Sequence, residues 1–405
     1  MRFYRYFHSY IRVRSIFAIV FKEKVIKSKE SMKRIFLFIT TICLAVTASA
    51  QYQVANSDFE EWESQTSETA EPCHWNSFKS ASGGFTSFAG KQMSKIEGSD
   101  AHGGTASVKI NARSVFGVIA QGNMTTGRIN MGSMSATDGK NNYNYTDSDN
   151  PDYNQPFTGL PDAMEVYLYV SVSKKAKATA LLHGDGKYYD PDDNNDDTVD
   201  LIAYATNTDI SSTGKAWQKF VIPCEYNLSD GTRPSYAFIT FSTSATPGEG
   251  NSADYMYIDD LSFLYYSELK SATYDGETIA FNGTTATIDE YYNESKLEIT
   301  SNGHGATVET NMDEATQLLT ITIKGDNISE DASNYHTYTI QFKTQPQYQR
   351  GDVNKDGEVS IADVTALVNI ILGKAEENEL ADVNEDGEVS IADVTALVNI
   401  ILGKN

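Results

Sequence analysis

Two segments near the C-terminus place oxygen-bearing side chains at the spacing of a calcium-binding loop. In the first segment, loop positions 1, 3, 5, 7, 9 and 12 are Asp352, Asn354, Asp356, Glu358, Ser360 and Asp363. In the second segment, the same positions are Asp382, Asn384, Asp386, Glu388, Ser390 and Asp393. Gly357 and Gly387 fill position 6, where a sharp turn requires a positive φ. Calcium takes six to eight hard oxygen ligands at about 2.3–2.6 Å, and the residue at position 7 offers its backbone carbonyl. The spacing therefore predicts one Ca²⁺ in each loop, and the alternative is a pair of solvated acidic turns.

The two loops belong to an internal repeat. Residues 352–374 and 382–404 differ only at Lys355 and Glu385. Each copy continues into a predicted helix with an apolar stripe, which is Val364, Leu367, Val368 and Ile371 in the first copy and Val394, Leu397, Val398 and Ile401 in the second. A segment of about 55 residues buries little apolar surface, and its loop carboxylates repel one another without a cation. We therefore expect calcium to contribute to the folding of this segment.

A loop followed by one helix, duplicated at a C-terminus, resembles the type I dockerin module over residues 350–405. No segment of helical length precedes Asp352, and position 12 is Asp rather than the Glu of an EF-hand. The resemblance implies a small three-helix, all-α domain that binds two calcium ions and docks onto a cohesin-like module of a partner protein. Many dockerins carry a Ser-Thr type pair near loop positions 10 and 11 for partner contact, but this chain has Ile361-Ala362 and Ile391-Ala392. The identity of the partner therefore stays open.

The near-identity of the two copies also implies a pseudo-two-fold axis. A surface with this symmetry can dock in two orientations related by about 180°, a behaviour known in the dockerin family. The alternative is that the duplication serves folding only.

The first 50 residues have the composition of an export signal. Met32-Lys33-Arg34 is a short basic start, residues 35–46 form an apolar run, and Ala48-Ser49-Ala50 is typical of a cleavage site. The apolar run is too short for a membrane span, which needs about 20 residues. We expect an initiator at Met32, an over-extended start before it, cleavage after Ala50, and no membrane span in the mature chain. The mature protein is then exported and is extracellular, on the cell surface or periplasmic.

The charge of the chain excludes several classes of partner. The chain holds 32 Lys and Arg against 55 Asp and Glu, a net charge of −23, and residues 1–50 hold a large share of the basic residues. Phosphate contacts need a basic surface, so nucleic-acid binding is disfavoured, and so is attraction to anionic lipid. Cys73 and Cys224 remain after cleavage, and export permits either one disulfide or two buried thiols.

The sequence between the signal and the repeat predicts a mainly β structure. Short β-rich runs separated by Gly, Asn, Asp and Pro turns predict strands at 164–173, 200–205, 219–223, 236–244 and 255–266. We place a first domain at 51–267, a second at 268–345, and a linker with the dockerin at 346–405. In the second domain, alternating runs at 296–300, 306–309, 318–324 and 335–343 resemble a small Ig-like β-sandwich used as a spacer.

The first domain opens with Asn56-Ser57-Asp58-Phe59-Glu60 and closes with Tyr257-Ile258-Asp259-Asp260-Leu261. These segments resemble the first and last strands of carbohydrate-binding jelly rolls. With the runs at 72–77, 155–161 and 217–223, they resemble the carbohydrate metabolism domain, PCMD, of exported Bacteroidetes proteins. The resemblance implies a jelly-roll-like β-sandwich in a glycan context. First and last strands of such folds lie side by side, so Glu60 and Asp259 could hold a further structural calcium ion, the alternative being capping or solvated carboxylates.

Sugar binding in this domain would require exposed aromatic faces, because the C–H faces of a pyranose pack against aromatic rings. The candidates for glycan contact lie in polar loops and are Tyr143, Tyr145, Tyr153, Tyr188 and Tyr189. We assign Trp62, Trp75 and Trp217 to the core. The acidic stretch 185–200 has a partial calcium-loop spacing at Asp192, Asn194, Asp196 and Asp200, but Asp197 stands where Gly is needed, so we interpret it as a hydrated hairpin loop.

These features favour a non-catalytic protein in polysaccharide binding and utilisation, attached to a cohesin-like partner through a calcium-dependent dockerin. The five histidines after residue 50 have no metal-ligand spacing, and no nucleophile or phosphate-loop motif is present. A glycoside hydrolase needs only two suitably spaced carboxylates, so that enzyme class stays open as an alternative. The third possibility is a structural surface component without sugar affinity.

Overall fold

A computed structural model describes residues 52–63, 70–88, 90–191, 194, 199–228, 231–326, 335–344 and 348–404. The signal-peptide prediction for residues 1–50 lies outside these ranges. The chain divides into two compact units with the boundary between Tyr265 and Tyr266. No helix in the described ranges is long and apolar enough to cross a membrane. The chain is mainly β, and α-helix occurs in the described part only within the C-terminal repeat.

The described residues of the first unit form fifteen strands. They are β1 (Met93–Glu97), β2 (Ala106–Asn111), β3 (Arg113–Val115), β4 (Val118–Ala120), β5 (Asn123–Thr125), β6 (Arg128–Met131), β7 (Asn142–Tyr145), β8 (Ala163–Ser171), β9 (Ala176–His183), β10 (Tyr189–Asp190), β11 (Leu201–Ile210), β12 (Gln218–Pro223), β13 (Glu225–Tyr226), β14 (Tyr236–Ser242) and β15 (Tyr255–Leu264). Short 3₁₀ turns lie at Thr86–Phe88, Gly98–Asp100 and Pro151–Tyr153. The five strands predicted from the sequence in this region are confirmed as β8, β11, β12, β14 and β15.

Two antiparallel five-stranded sheets form the body of the first unit. Sheet A has the strand order β1-β2-β15-β8-β12, and sheet B has the order β13-β11-β9-β14-β5. A three-stranded sheet, β10-β7-β6, and the hairpin β3-β4 complete the unit. Side chains alternate along each strand, so that Val166, Leu168 and Val170 of β8 are buried while the residues between them face outward. The buried faces of both sheets share one apolar cluster, as in a β-sandwich.

The predicted opening strand at residues 56–60 is wrong. Residues 55–58 form a turn, and both Asn56 and Phe59 have a positive φ, 48° and 54°. The Asn56 side chain closes this turn by accepting a hydrogen bond from the Glu61 N–H (2.9 Å) and donating one to the Cys73 carbonyl (2.9 Å). The turn buries the Phe59 ring, whose centroid lies 5.1 Å from that of Trp75. The predicted last strand, by contrast, is confirmed as β15.

The second unit contains a small two-sheet region and the C-terminal helices. Its strands are β16 (Leu269–Tyr274), β17 (Glu277–Thr278), β18 (Thr285–Ile288), β19 (Leu297–Ser301), β20 (Thr307–Asp313), β21 (Leu318–Lys324) and β22 (Tyr335–Phe342), with a 3₁₀ turn at Glu294–Lys296. One sheet has the order β17-β16-β19 and the other β18-β22-β21-β20, with β18 parallel to β22. The inward residues of β21, Leu319, Ile321 and Ile323, pack with Ile340 and Phe342 in a core of their own.

The C-terminal repeat forms two helices, α1 (Ile361–Ile371) and α2 (Ile391–Ile401). The third helix implied by the family resemblance is not seen in the described residues, because residues 372–381 form turns and irregular chain. Leu367 and Leu397 are fully buried between the helices, as the apolar stripe predicts. The predicted apolar stripe of α1 is wrong at one position, because Ile370 is buried and Ile371 is exposed.

Candidate functional site

The two acidic loops have the backbone that a calcium loop requires. Gly357 and Gly387 have φ values of 95° and 91°, which confirms the positive φ predicted at position 6. The carboxylate of Asp352 lies at the centre of the first loop. It accepts hydrogen bonds from the N–H groups of Asp356 (3.0 Å) and Gly357 (2.9 Å). The loop is therefore folded around the side chain at position 1 rather than around an apolar contact.

Position 12 connects each loop to its helix. The carboxylate of Asp363 accepts from the N–H of Asn354 (3.0 Å) and from the N–H of Ser360 (2.8 Å). Ser360 is the N-cap of α1, and its hydroxyl accepts from the Ala362 N–H (3.2 Å). Together Ser360 and Asp363 form a capping box, which satisfies helix N–H groups that would otherwise lack partners. The same side chain that is predicted to bind calcium thus also fixes the start of the helix.

The second loop repeats this geometry with the same residue types. Asp393 accepts from the N–H groups of Asn384 (3.0 Å) and Ser390 (2.8 Å), and Asp382 accepts from the Gly387 N–H (2.9 Å). Burial acts to raise the pKa of the Asp393 carboxyl, but the backbone N–H groups of Asn384 and Ser390 outweigh it and hold that pKa below its ordinary value. The carboxylate is therefore the stable form at neutral pH.

The electrostatics of the loops fit a divalent cation. Asp352, Asp363 and Asp393 are fully buried, and none of the ion pairs found within the described residues involves them. Nearby Lys355 and Arg350 pair instead with Glu379 and Glu385. A buried carboxylate without a cationic partner is costly, and an oxygen-only donor set is what calcium prefers. Across the described residues, no three carboxylate, imidazole or thiol groups converge on one point, so an ion here would also need amide, carbonyl or water oxygens.

Both helices expose the same two apolar side chains. Ile361 and Ile391, each the first residue of its helix, are 72% and 71% exposed. Leu372 and Leu402, each the C-cap, are 59% and 58% exposed. The four exposed aliphatic side chains thus occupy matched positions of the two copies. The repeat is not fully symmetric, since the isoleucine before the last helical position is buried in α1 and partly exposed in α2.

In the first unit, Glu60 and Asp259 lie against the same short loop, residues 102–105. Asp259 accepts from the N–H groups of His102 (2.9 Å) and Gly103 (3.1 Å). Glu60 accepts from the N–H of Thr105 at 2.7 Å. Asp259 is fully buried, and burial raises the pKa of its carboxyl to about 6. The structure thus brings the two predicted ligands to one loop, where both act as acceptors for its N–H groups.

A cleft of about 350 Å³ lies over the outer face of sheet B. Its floor includes Thr240 and Ser242 of β14 and Lys177 of β9, and its walls come from the β3-β4 hairpin and from β6 and β7. Aromatic and amide side chains line it together: Phe78, Phe85, Phe88, Tyr143, Gln121, Asn123, Asn130, Asn142 and Asn144. At one end Lys177 forms an ion pair with Asp190 (2.9 Å). The cleft therefore combines apolar rings with donors and acceptors, which is the composition of a polar-ligand site.

The five candidate tyrosines have three different environments. Tyr143, Tyr145 and Tyr189 form one cluster, with ring centroids 5.3–5.9 Å apart, and Tyr143 lines the cleft. Tyr188 is instead buried, with its ring stacked on that of His183 (5.2 Å). Tyr153 lies under the guanidinium of Arg128 (4.6 Å). The prediction that these side chains lie in polar loops is therefore wrong for Tyr143 and Tyr145, which lie on β7, and for Tyr189, which lies on β10. Tyr188 lies outside the strands but is buried rather than exposed.

Other predicted residues have simpler outcomes. Trp62 and Trp75 are buried, as predicted, but Trp217 is half-exposed on the outer face of sheet A, so its assignment to the core is wrong. Cys73 and Cys224 are present as thiols, and burial raises the pKa of Cys224 to about 12. Asp192, Asp196 and Asp197 of the acidic stretch lie outside the described residues, while Asn194 is exposed.

Sequence reasoning did not find most of the cleft. Its asparagines come from β5, β6 and β7 and its phenylalanines from residues 78–88 before β1, and no local spacing marks them as one site. The only available signal was the excess of Asn and Tyr at residues 141–153, which indicates a polar loop but not what it faces.

Comparison with known proteins agrees with the C-terminal geometry. Residues 350–402 match the family model described as the dockerin type I domain. Type I dockerin domains bind calcium and dock onto cohesins. No curated protein matches the chain. Among solved structures, TmCBM61 in complex with β-1,4-galactotriose is similar at 13% identity and a TM-score of 0.23, covering 53% of this chain and 97% of that chain.

Proposed function

We propose that this protein is an exported, non-catalytic, multimodular glycan-binding protein that attaches to a cohesin-like partner through its C-terminal repeat. The observation that carries the proposal is the pair of loops in which a carboxylate at position 1 organises the turn and a buried carboxylate at position 12 caps the helix. The family match over the same residues supports it. Dockerin-bearing proteins are typically extracellular, which fits the signal predicted for residues 1–50.

The two loops bind two calcium ions, one each. In each loop the ion draws together the side chains at positions 1, 3, 5 and 12, three of which are carboxylates that do not converge on one point in this structure, with the carbonyl at position 7 and the hydroxyl at position 9 directly or through water. The bound ions neutralise the buried carboxylates and hold both helix starts in place. Calcium thereby decides whether the exposed apolar residues at the helix ends are presented in one fixed arrangement.

The docking surface consists of the helix ends. Ile361 and Leu372 on α1, and Ile391 and Leu402 on α2, present apolar contacts at matched positions. Because the two sets are nearly equivalent, either helix can occupy the same position on the partner, which gives two docking orientations. If the duplication serves folding only, one set alone contacts the partner.

The test measures binding of the full-length chain to a panel of type I cohesin modules by biolayer interferometry, with calcium and with EGTA. We expect calcium-dependent binding that survives Ile361→Asp or Ile391→Asp alone and is lost in the double variant. Tyr335→Asp, an exposed position in the β-sandwich of the second unit, is the matched control. Binding that persists in EGTA would refute the proposed role of calcium. Loss in one single variant but not the other would leave docking in place and refute the two orientations.

The cleft on sheet B is the proposed glycan site. Aromatic rings there can stack on the C–H faces of a pyranose, while the amides and the Lys177–Asp190 pair can take its hydroxyls. The resemblance of the first unit to PCMD sequences supports a glycan context. We expect full-length protein to bind a glycan array, and Tyr143→Ala to weaken that binding while Tyr153→Ala, outside the cleft lining, does not. Equal binding by both variants would remove the cleft from the proposal, and release of reducing sugar would favour the hydrolase alternative.

Glu60 and Asp259 are the proposed ligands of a third, structural calcium ion. Their common position against residues 102–105 supports this, although their oxygens also accept backbone N–H groups there. Native mass spectrometry of the full-length chain gives the ion count directly. Three ions in the parent and two in a Glu60→Gln, Asp259→Asn variant would support the site, whereas two ions in both would show that the carboxylates only fasten the loop.

A further inference from the structure

The outer face of sheet A carries a group of aromatic side chains that the proposed function does not use. It consists of Tyr167 and Tyr169 from β8, Tyr255 and Tyr257 from β15, and Trp217 immediately before β12, and we refer to this group as the aromatic platform. All five side chains are half-exposed. They face outward because their neighbours in the strands, such as Leu168 and Met256, point into the core. Sheet B and its cleft lie on the opposite side of the sandwich.

The strand register places the platform residues in a row. Tyr257 lies directly opposite Tyr169 on one side and opposite Lys109 of β2 on the other. The antiparallel register of β12 and β8 extends this row to Trp217, whose ring centroid is 6.3 Å from that of Tyr169. Neighbouring strands are about 4.8 Å apart, so the row from Lys109 to Trp217 spans about 14 Å.

The tyrosine rings around Tyr169 are stacked, whereas the Trp217 ring meets Tyr169 edge-on at an angle of 73°. Tyr169 stacks on Tyr257 with centroids 4.9 Å apart and an angle of 21° between the rings, and on Tyr255 at 6.1 Å with the same angle. The Lys109 ammonium lies 4.7 Å from the Tyr255 ring. At the other end His102 stacks on Tyr167 at 3.7 Å. The result is a half-exposed surface of stacked rings and phenolic hydroxyls.

Sheet stability alone does not account for this surface. Cross-strand aromatic pairs contribute about 0.2–1 kcal/mol each, which explains a pair but not five contiguous half-exposed aromatic residues. The outward-facing residues next to them on the same strands are polar: Glu165, Asp260 and Ser262. Within the platform every apolar ring carries a hydroxyl or an indole N–H.

We propose that the aromatic platform is a second glycan-binding surface that takes an extended, uncharged polysaccharide chain. Successive pyranose rings would lay their C–H faces along the row of rings, and the tyrosine hydroxyls and the Lys109 ammonium would take sugar hydroxyls. The net charge of −23 disfavours a polyanionic glycan. This proposal rests on the proposed glycan binding and adds to it a surface that accommodates a chain rather than a single chain end.

Tryptophan fluorescence tests the platform specifically. The chain has three tryptophans, and Trp62 and Trp75 are buried while Trp217 lies on the platform. Titration of the full-length protein with soluble neutral oligosaccharides, such as glucan, xylan and mannan fragments, is expected to give a saturable blue shift. Trp217→Phe should remove that signal. A panel of these glycans that produces no spectral change would overturn the platform proposal.

Variants separate the platform from the cleft. In native affinity gels containing a neutral polysaccharide, Tyr169→Thr with Tyr257→Thr should weaken retention about tenfold or more, which corresponds to at least about 1.4 kcal/mol. Threonine keeps the β preference of these positions. The matched control is Tyr204→Thr on β11 of sheet B, and thermal unfolding of each variant shows that the fold is kept. Loss confined to the cleft variant Tyr143→Ala would overturn the platform proposal and leave the proposed function standing. Loss in the platform variant supports it.

Discussion

Removal of calcium should unfold the C-terminal repeat and leave the first unit folded. The apolar core of the repeat contains only six buried side chains, namely Val353, Leu367, Ile370, Ala381, Val383 and Leu397. Three buried loop carboxylates have no cationic partner among the described ion pairs. In the absence of the ion these charges destabilise a domain that has little burial to oppose them. The perturbation is EGTA added to the full-length protein.

The size of the effect follows from mass action. At a free calcium concentration 100 times the dissociation constant, one site contributes about 2.7 kcal/mol to the free energy of unfolding. Two sites contribute about 5 kcal/mol, which equals the whole stability of many small domains. Loss of both ions is therefore expected to take the repeat from mostly folded to mostly unfolded, whereas loss of one ion should leave it partly populated.

Hydrogen–deuterium exchange with peptide resolution is the appropriate assay. In EGTA, peptides covering α1 and α2 should lose protection, while peptides covering β9 and β14, which hold none of the proposed calcium ligands, should not change. Asp363→Asn and Asp393→Asn each remove one position-12 charge and should each produce part of the effect. Asp289→Asn, at an exposed site outside the loops, is the control. Equal protection of the helices with and without calcium would refute the reasoning, and so would loss of protection throughout the chain.

Three further outcomes follow from the packing. Burial lowers the pKa of His183 from 6.5 to about 4, so between these pH values the folded state binds fewer protons than the unfolded state. The free energy of unfolding should therefore fall by about 3 kcal/mol from pH 6.5 to pH 4, and the melting temperature should fall with it. In His183→Gln this part of the fall in melting temperature should be absent. Leu367→Ala should destabilise the repeat by about 2–5 kcal/mol in calcium buffer, measured by denaturant unfolding, while an exposed Leu372→Ala should change it by less than about 0.5 kcal/mol. A Cβ at Gly127 would lie 2.4 Å from the Tyr145 carbonyl oxygen, so Gly127→Ala should lower the melting temperature of the first unit, and an unchanged value would contradict the close approach.

Local pattern predicted the elements that depend on neighbouring residues. The turns at position 6 of the two acidic loops, the helices α1 and α2 and the strands β8, β14 and β15 all follow from spacing of three to twelve residues. These features are local because a turn, a cap or an alternating strand is fixed by contacts close in sequence. The strand predicted at 56–60 is wrong because the Asn56 side chain forms hydrogen bonds with the backbone of Glu61 and Cys73 and holds a turn. The pattern of polar and apolar residues around Asn56 does not indicate these hydrogen bonds.

The cleft and the platform depend on contacts distant in sequence. Trp217 reaches the platform only because β12 pairs with β8, and Tyr143 reaches the cleft only because β7 folds over the face of sheet B. The same effect separated Tyr188 from the other candidate tyrosines and buried it against His183. Whether an aromatic residue is core, cleft or surface is decided by strand pairing, which composition does not encode.

By itself, the sequence determined the loops and helices of the C-terminal repeat, since each loop and the start of its helix form within twelve consecutive residues and need no distant partner. It also determined that the remainder is a β protein, because polar and apolar residues alternate along the sequence of each strand. Only the tertiary structure decided which side chains share a surface, because that depends on which strands pair and in which register. The two proposed glycan surfaces, on opposite faces of one sandwich, exist only at that level.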